Sequence, residues 1–175
     1  MRELECWWNI PDYGFAVALP PRCGSSSVLH SFVEREIKCY GPVIGHADGT
    51  SSRDDYERRI MVVRDPVERF MSLWRSKCRN QEKLWVDDDS AVLAFMSPKD
   101  LIKHIERTKV EDAHWATLSA IEAGYSTEII HYTELNALLD MKYADRLNNT
   151  WEPFKIDPEV EERVKEFYKD DYGLL

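Results

Sequence analysis

FAVALPPRCGSSSVLHSF, residues 15–32, reads as an apolar strand, a tight turn and the first turns of a helix. Phe15 to Leu19 are apolar without interruption, as in a strand buried on both faces. Pro20 and Pro21 end it, because proline has no N–H to donate to a sheet ladder. Gly24 lets the backbone bend and approach a ligand closely. Ser25, Ser26 and Ser27 suit the cap and first turn of a helix, and Val28, Leu29, Phe32 and Val33 then recur at helical spacing. A helix start presents N–H groups and a partial positive charge, so it is a natural anion site. Arg22 adds a full charge and a forked set of donors. The stretch suits a phosphate-like or sulfate-like group; the plainer alternative is a strand-to-helix turn that binds nothing.

The rest of the chain repeats the alternation. Residues 1–14 read as a loop or a short edge segment, with Trp7 and Trp8 covering the edge of the core. The first helix is predicted to run to about Lys38, broken by Gly41 and Pro42. Residues 42–46 suggest a short second strand, and 47–55 a loop of turn formers. Arg59 to Arg64 form a strong strand, ended by Asp65-Pro66 at the start of a helix. In that helix Val67, Phe70, Met71, Trp74 and Cys78 make the core-facing stripe, while Arg69, Ser72 and Ser76 share another face. A polar loop over 81–90, helices over 90–96 and 98–107, and an ambiguous segment over 109–124 follow. Thr127 to Tyr132 read as a strand, with Thr133 capping the turn after it. Asp157-Pro158 opens a last helix that ends at Gly173. Strands alternating with helices predict an α/β protein with a mainly parallel sheet.

The 175 residues favour one domain over 1–175. Hydrophobic content of 43% and charged content of 31% are ordinary for a globular protein. A net charge of −9 argues against non-specific binding to nucleic acid or anionic membranes, yet permits a local basic pocket. No apolar run approaches the roughly 20 residues of a membrane span. The opening MRELECWWNIPDYG lacks the apolar middle of a signal peptide, which predicts a cytoplasmic chain. Cys6, Cys23, Cys39 and Cys78 have no metal-ligand spacing and read as reduced thiols.

Two segments carry chemistry. PRCGSSS at 21–27 lacks the second Gly and the Lys of a Walker A loop, and Leu29 rules out the Cys-x5-Arg loop of tyrosine phosphatases. VVRDPVERFMSLW at 62–74 puts Arg64 at the C-terminal end of a strand, where open α/β sheets bind ligands. Ser72 lies two turns into the following helix, off its apolar stripe. The alternative for Arg64 is a surface pair with Asp65 or Glu68.

Together the segments resemble the sulfotransferase superfamily that uses 3′-phosphoadenosine 5′-phosphosulfate. Pro21 to Ser26 match its P-[KR]-x-G-[ST]-[ST] loop, and Arg64 to Ser72 match its R-D-P-x-x-R-x-x-S stretch. Asp112-Ala113-His114-Trp115, Ile129 to Leu135 and Phe167 to Tyr172 look like the branch that sulfates carbohydrates. The resemblance implies a three-layer sandwich around a small, mainly parallel sheet, with a P-loop nucleotide-kinase-like fold and the 59–64 strand beside the first. It implies that Cys23, Gly24, Ser25, Ser26 and Ser27 contact the 5′-phosphosulfate and that Arg64 and Ser72 contact the 3′-phosphate. Arg22 stands where most members have Lys and tyrosylprotein sulfotransferases have Arg. There it neutralises the leaving oxygen, with no metal required.

A base must also take the acceptor's proton, and His suits that near neutral pH. His46 lies between the two motifs, as a catalytic His does in the heparan 2-O-sulfotransferase branch; Asp48 and Glu34 are the other candidates. His30, His104 and His131 read as structural, and His114-Trp115 as packing or pocket lining. The chain is far shorter than the Golgi enzymes, and no basic C-terminal loop like that of the cytosolic steroid and phenol enzymes is visible. The acceptor expected is a hydroxyl on a neutral sugar, lipid or other small molecule. Two rival readings are a non-catalytic nucleotide- or anion-binding scaffold and, disfavoured by the missing Walker Lys, a nucleotide-dependent phosphotransferase.

Overall fold

The computed structural model describes residues 6–41, 53–80, 93–108, 114–139 and 155–175. Four strands form one sheet in the order β1 (Trp7–Ile10), β2 (Phe15–Ala18), β3 (Arg59–Val63), β4 (Glu128–His131). β1 and β2 are an antiparallel hairpin. β2 pairs with β3, and β3 with β4, in parallel, with Val17 opposite Ile60 and Met61 opposite Ile129. The sheet is therefore mainly parallel, and the two strands that precede the motifs lie side by side. Their uninterrupted apolar runs have the expected result: every residue of β2 is buried, as are Ile60 to Val63. The N-terminal segment takes the edge-strand alternative. Tyr40 extends that edge by exchanging two backbone bonds with Asn9, at 2.9 and 3.0 Å.

Helix α1 (Ser25–Glu34) ends four residues before the expected Lys38. Glu36 takes a left-handed φ of 56°, and Ile37 N–H bonds to Phe32 O at 2.9 Å while Glu36 N–H bonds to Val33 O at 3.2 Å. These two bonds are a Schellman stop, built on Glu where Gly is usual, so composition gave no warning of it. Helix α2 (Pro66–Trp74) starts as predicted: Asp65 accepts from Glu68 N–H, and Pro66 is the first helical residue. It runs on into a π turn over Arg75–Arg79. Helix α3 is Pro98–Thr108; of the helix predicted over 90–96, the described residues hold a turn closed by Met96 N–H to Leu93 O. The ambiguous segment resolves into a short helix α4 (Leu118–Glu122) capped by Thr117. After β4 the cap is His131 with Glu134, two residues ahead of the expected Thr133, leading through a 3-10 turn into α5 (Leu135–Leu138). Helix α6 (Pro158–Phe167) is capped by Asp157 and ends well before Gly173, giving way to a 3-10 segment over Lys169–Leu174.

Two apolar clusters hold these elements together. The first joins the sheet to α1 through Val28 and Phe32, and to α4 through Leu118 and Ile121. The second joins Phe70, Met71, Leu73 and Trp74 of α2 to Leu101, Ile102 and Ile105 of α3 and Val160 and Val164 of α6. Trp7 lies in the first cluster, with Trp8 packed against it. All four cysteines are free thiols. No helix among the described residues is long and apolar enough to cross a membrane.

Candidate functional site

The turn after β2 is tighter than its sequence suggests. Cys23 N–H bonds to Pro20 O at 3.0 Å, with Pro21 and Arg22 between them and Arg22 at φ 71°. That is the pattern of a type II turn, in which the third residue must take positive φ and is normally Gly or Asn. An Arg there costs roughly 1 kcal/mol of backbone energy, so the conformation is held by its surroundings. Gly24 follows at φ 87° as the N-cap of α1, where the missing Cβ removes the penalty. The first intrahelical bond is Val28 N–H to Gly24 O, so the amides of Ser25, Ser26 and Ser27 all precede it. Three consecutive N–H groups at the positive end of a ten-residue helix form an anion cradle.

Two arginines of the second motif hold this turn in place. Arg64 Nη1 donates to Arg22 O at 3.1 Å, and Arg69 Nε donates to Pro21 O at 3.2 Å. The motifs, 42 and 48 residues apart at these bonds, are thus one structural unit. Arg64 also donates through Nε to Glu68 at 3.2 Å, and its guanidinium lies over the Tyr132 ring at 4.7 Å. The surface pair with Glu68 therefore exists alongside the contact with the turn. The Tyr132 ring gives the Arg64 guanidinium a cation–π contact.

Arg69 is buried, and its Nη1 donates to Ala116 O at 2.7 Å. The same segment is held from the C-terminus. Tyr168 donates its hydroxyl to Trp115 O at 2.9 Å. Asp171 is fully buried and accepts from Leu118 N–H at 2.9 Å, Ser119 N–H at 3.0 Å and the Ser119 hydroxyl at 3.1 Å. Sequence reading put Arg69 on a shared face with Ser72 and Ser76. In the structure Arg69 and Ser76 are buried, and Ser72 is half-buried. The clamping roles of Arg69, Tyr168, Asp171 and Tyr132 were missed, although all four lie in stretches that had been singled out.

Cys23 points into the core. Burial pushes its thiol up to about 11, against the pull of the nearby Arg69 and Arg64 charges. It stays a protonated thiol at neutral pH and is not poised as a nucleophile. Its N–H is already used by Pro20 O, which leaves the anion-facing amides to the serines. Glu34 ends α1, about 13 Å along the helix from the cradle, and pairs with His30 at 3.3 Å. His46 and Asp48 lie outside the described residues. His104 and His114 are buried, and His131 caps a turn. Among the described residues no cluster of three or more His, Cys, Asp or Glu is placed to hold a metal ion.

The assembled site offers a helix-start cradle, a turn carrying Arg22, and a guanidinium at the end of the neighbouring strand. Such a site can bind a ligand with two separated anionic groups. A model described as the sulfotransferase family matches residues 46–169, about seven-tenths of the chain. The match contains the Arg64–Ser72 stretch and begins after the Pro21–Ser27 loop. Neither the curated proteins nor the solved structures compared gave a match.

Proposed function

The chain belongs to the sulfotransferase family, and from that premise we propose that it transfers a sulfuryl group from 3′-phosphoadenosine 5′-phosphosulfate to a hydroxyl acceptor by in-line displacement. The reading includes a P-loop-like three-layer fold in a single domain over 1–175. The observation that carries it is the bond from Arg64 to the Arg22 carbonyl. It ties a cradle suited to one anionic group to a cation suited to another, and the donor has an anionic group at each end. The family match alone does not reach the cradle; the bond extends the argument to it.

When bound, the donor supplies an activated sulfuryl group and a phosphate leaving group. The chain's residues then have separate tasks. The amides of Gly24 and Ser25 to Ser27 hold the 5′ end at the head of α1, with Cys23 fixing the turn beneath. Arg22 meets charge as it develops on the bridging oxygen while the sulfur–oxygen bond breaks, and it stays charged at any working pH. Arg64 and Ser72 hold the 3′-phosphate, so arginines neutralise the charge that magnesium balances in phosphotransferases. His46 takes the acceptor's proton as its oxygen bonds to sulfur, with Asp48 or Glu34 in reserve. Glu34 is the weakest of the three, given its distance from the cradle. The acceptor is a neutral sugar or small hydroxyl compound.

The test is incubation with radiolabelled donor and a panel of hydroxyl acceptors. Label should reach an acceptor without added magnesium, and Arg22→Ala should lose about 10²-fold or more in turnover. His46→Ala at full rate would remove His46 as base and leave the activity standing. Donor binding with no transfer to any acceptor would turn the reading into a nucleotide-binding scaffold. Magnesium-dependent ATP turnover would replace it with a phosphotransferase.

A further inference from the structure

We propose that Glu68 is a built-in competitor for the 3′-phosphate: its carboxylate contends with that group for Arg64 and keeps the nucleotide's hold weak enough for release. The inference rests on the donor reading above. Arg64 Nε donates to Glu68 Oε2 at 3.2 Å, and the Tyr132 hydroxyl faces the same oxygen at 3.5 Å. Burial pushes that hydroxyl above the usual phenol range, so it keeps its proton at neutral pH. Two donors therefore converge on one carboxylate oxygen, as they would on an oxygen of an anionic ligand.

Helix α2 puts this carboxylate on the ligand's side. Glu68 and Ser72 are four residues apart on α2, so they share a face with Cβ atoms about 6 Å apart. The donor reading sets the 3′-phosphate against Arg64 and Ser72, which brings phosphate and carboxylate to the same place. Only one of the contenders for Arg64 can give way easily. The Glu68 backbone is fixed, because its N–H bonds to the Asp65 cap at 3.0 Å, but its side chain is 53% exposed. Arg64 is 23% exposed and is also tied to Arg22 O at 3.1 Å. An ion pair this open to water is weak, so the carboxylate can swing out while the guanidinium stays.

Charge decides which ligands displace it. A phosphate monoester carries about two negative charges at neutral pH and exceeds the single charge of the carboxylate. A 3′-hydroxyl carries none, and it leaves the Arg64–Glu68 pair intact. After displacement the Glu68 charge is still tethered one turn from Ser72, where it repels the phosphate. Glu68 therefore weakens binding of every nucleotide with a 3′-phosphate and of none without one. The desulfated product keeps that phosphate, so its departure is hastened.

Calorimetry on the full chain, with adenosine 3′,5′-bisphosphate and AMP as probes, tests this. Glu68→Gln keeps the shape and an acceptor oxygen and removes the charge. It should tighten bisphosphate binding about three- to tenfold, with AMP affinity changed less than about twofold. Glu68→Asp retains the charge and should stay within about twofold of the unmodified protein for both probes. Salt at about 0.5 M should narrow the gap between Glu68→Gln and the unmodified protein, because it screens the repulsion. Thermal melting should show both variants folded. The inference is overturned if Glu68→Gln leaves bisphosphate affinity unchanged, if it tightens AMP equally, or if it weakens the bisphosphate, which would make Glu68 a holder of Arg64. If the unmodified protein binds the bisphosphate no better than AMP, the donor reading fails, and this inference falls with it.

Discussion

Arg22 is the residue at which conformation and chemistry pull against each other. Its φ of 71° is one that Gly adopts freely and Arg adopts at a cost. The cost is met by the bonds that Arg69 makes to the carbonyl of the turn's central peptide, Pro21 O, and Arg64 to the next one, Arg22 O. Because C=O and N–H point opposite ways across a trans peptide, anchoring the Pro21 carbonyl also aims the Arg22 amide away from Arg69. A strained residue fixed by two buried or half-buried guanidiniums is a functional position more often than an accident. Arg22→Gly separates the two demands. It should keep or raise folding stability by up to about 1 kcal/mol, since the backbone strain goes, while sulfuryl transfer falls by about 10²-fold or more. Urea unfolding and a turnover assay on one preparation would show this opposed pair of changes; parallel losses would mean that Arg22 serves the fold alone. The positive φ was not legible in the sequence. PPRC names a turn, but nothing in it says which residue goes left-handed, because that is set by arginines 42 and 48 residues away.

At the scale of elements, the legible parts were those whose signal is local. β2 and β3 announce themselves by unbroken apolar runs, and α2 and α6 by Asp-Pro starts, so their positions follow from composition and periodicity, whereas the pairing of the two strands came with the family resemblance. The stop of α1 at Glu36 and the π turn at Arg75–Arg79 depend on tertiary packing and left no local mark. Helix α4 is the extreme case. Five residues cannot hold a helix in water by themselves, and this one stands because Thr117 caps it and Asp171 accepts two of its amides. Asp171→Ala should therefore cost about 3 kcal/mol, since it strands buried N–H groups beneath α4. Asp171→Asn, which keeps one acceptor oxygen, should cost less. The loss should also reach the site, because the segment ahead of α4 gives Ala116 O to Arg69, and Arg69 holds Pro21. Chemical denaturation measures the first effect and a rise in KM for the donor the second. An unchanged KM in a destabilised Asp171→Ala would show that the chain of contacts ends at α4.

At the scale of the whole molecule, the described residues form two apolar clusters with the site along their join. The cradle grows from the cluster of the sheet and α1, whereas Ser72 rides on α2, the helix that organises the cluster of α2, α3 and α6. Across that join run the bond of Arg69 to the turn and the buried Asp171 carboxylate beneath α4. A ligand held at one end by the cradle and at the other by Arg64 and by Ser72 of α2 would add a further tie between the clusters. The cluster of α2, α3 and α6 should then gain as much as the sheet, and the gain should appear in the cooperative unfolding of the whole chain. At a hundred times its dissociation constant such a ligand contributes about 2.7 kcal/mol. For a domain of this size each kcal/mol is worth about 2–4 °C, so adenosine 3′,5′-bisphosphate should raise Tm by about 5–10 °C. AMP at the same concentration should give a clearly smaller shift, because it reaches the cradle and leaves Arg64 and Ser72 without a guest. Chelating divalent metals should change neither shift if arginines carry the neutralisation. Differential scanning calorimetry would decide the matter: equal shifts for the two nucleotides would mean that only one end of the site is engaged, and the two-anchor account of this family member would have to be given up.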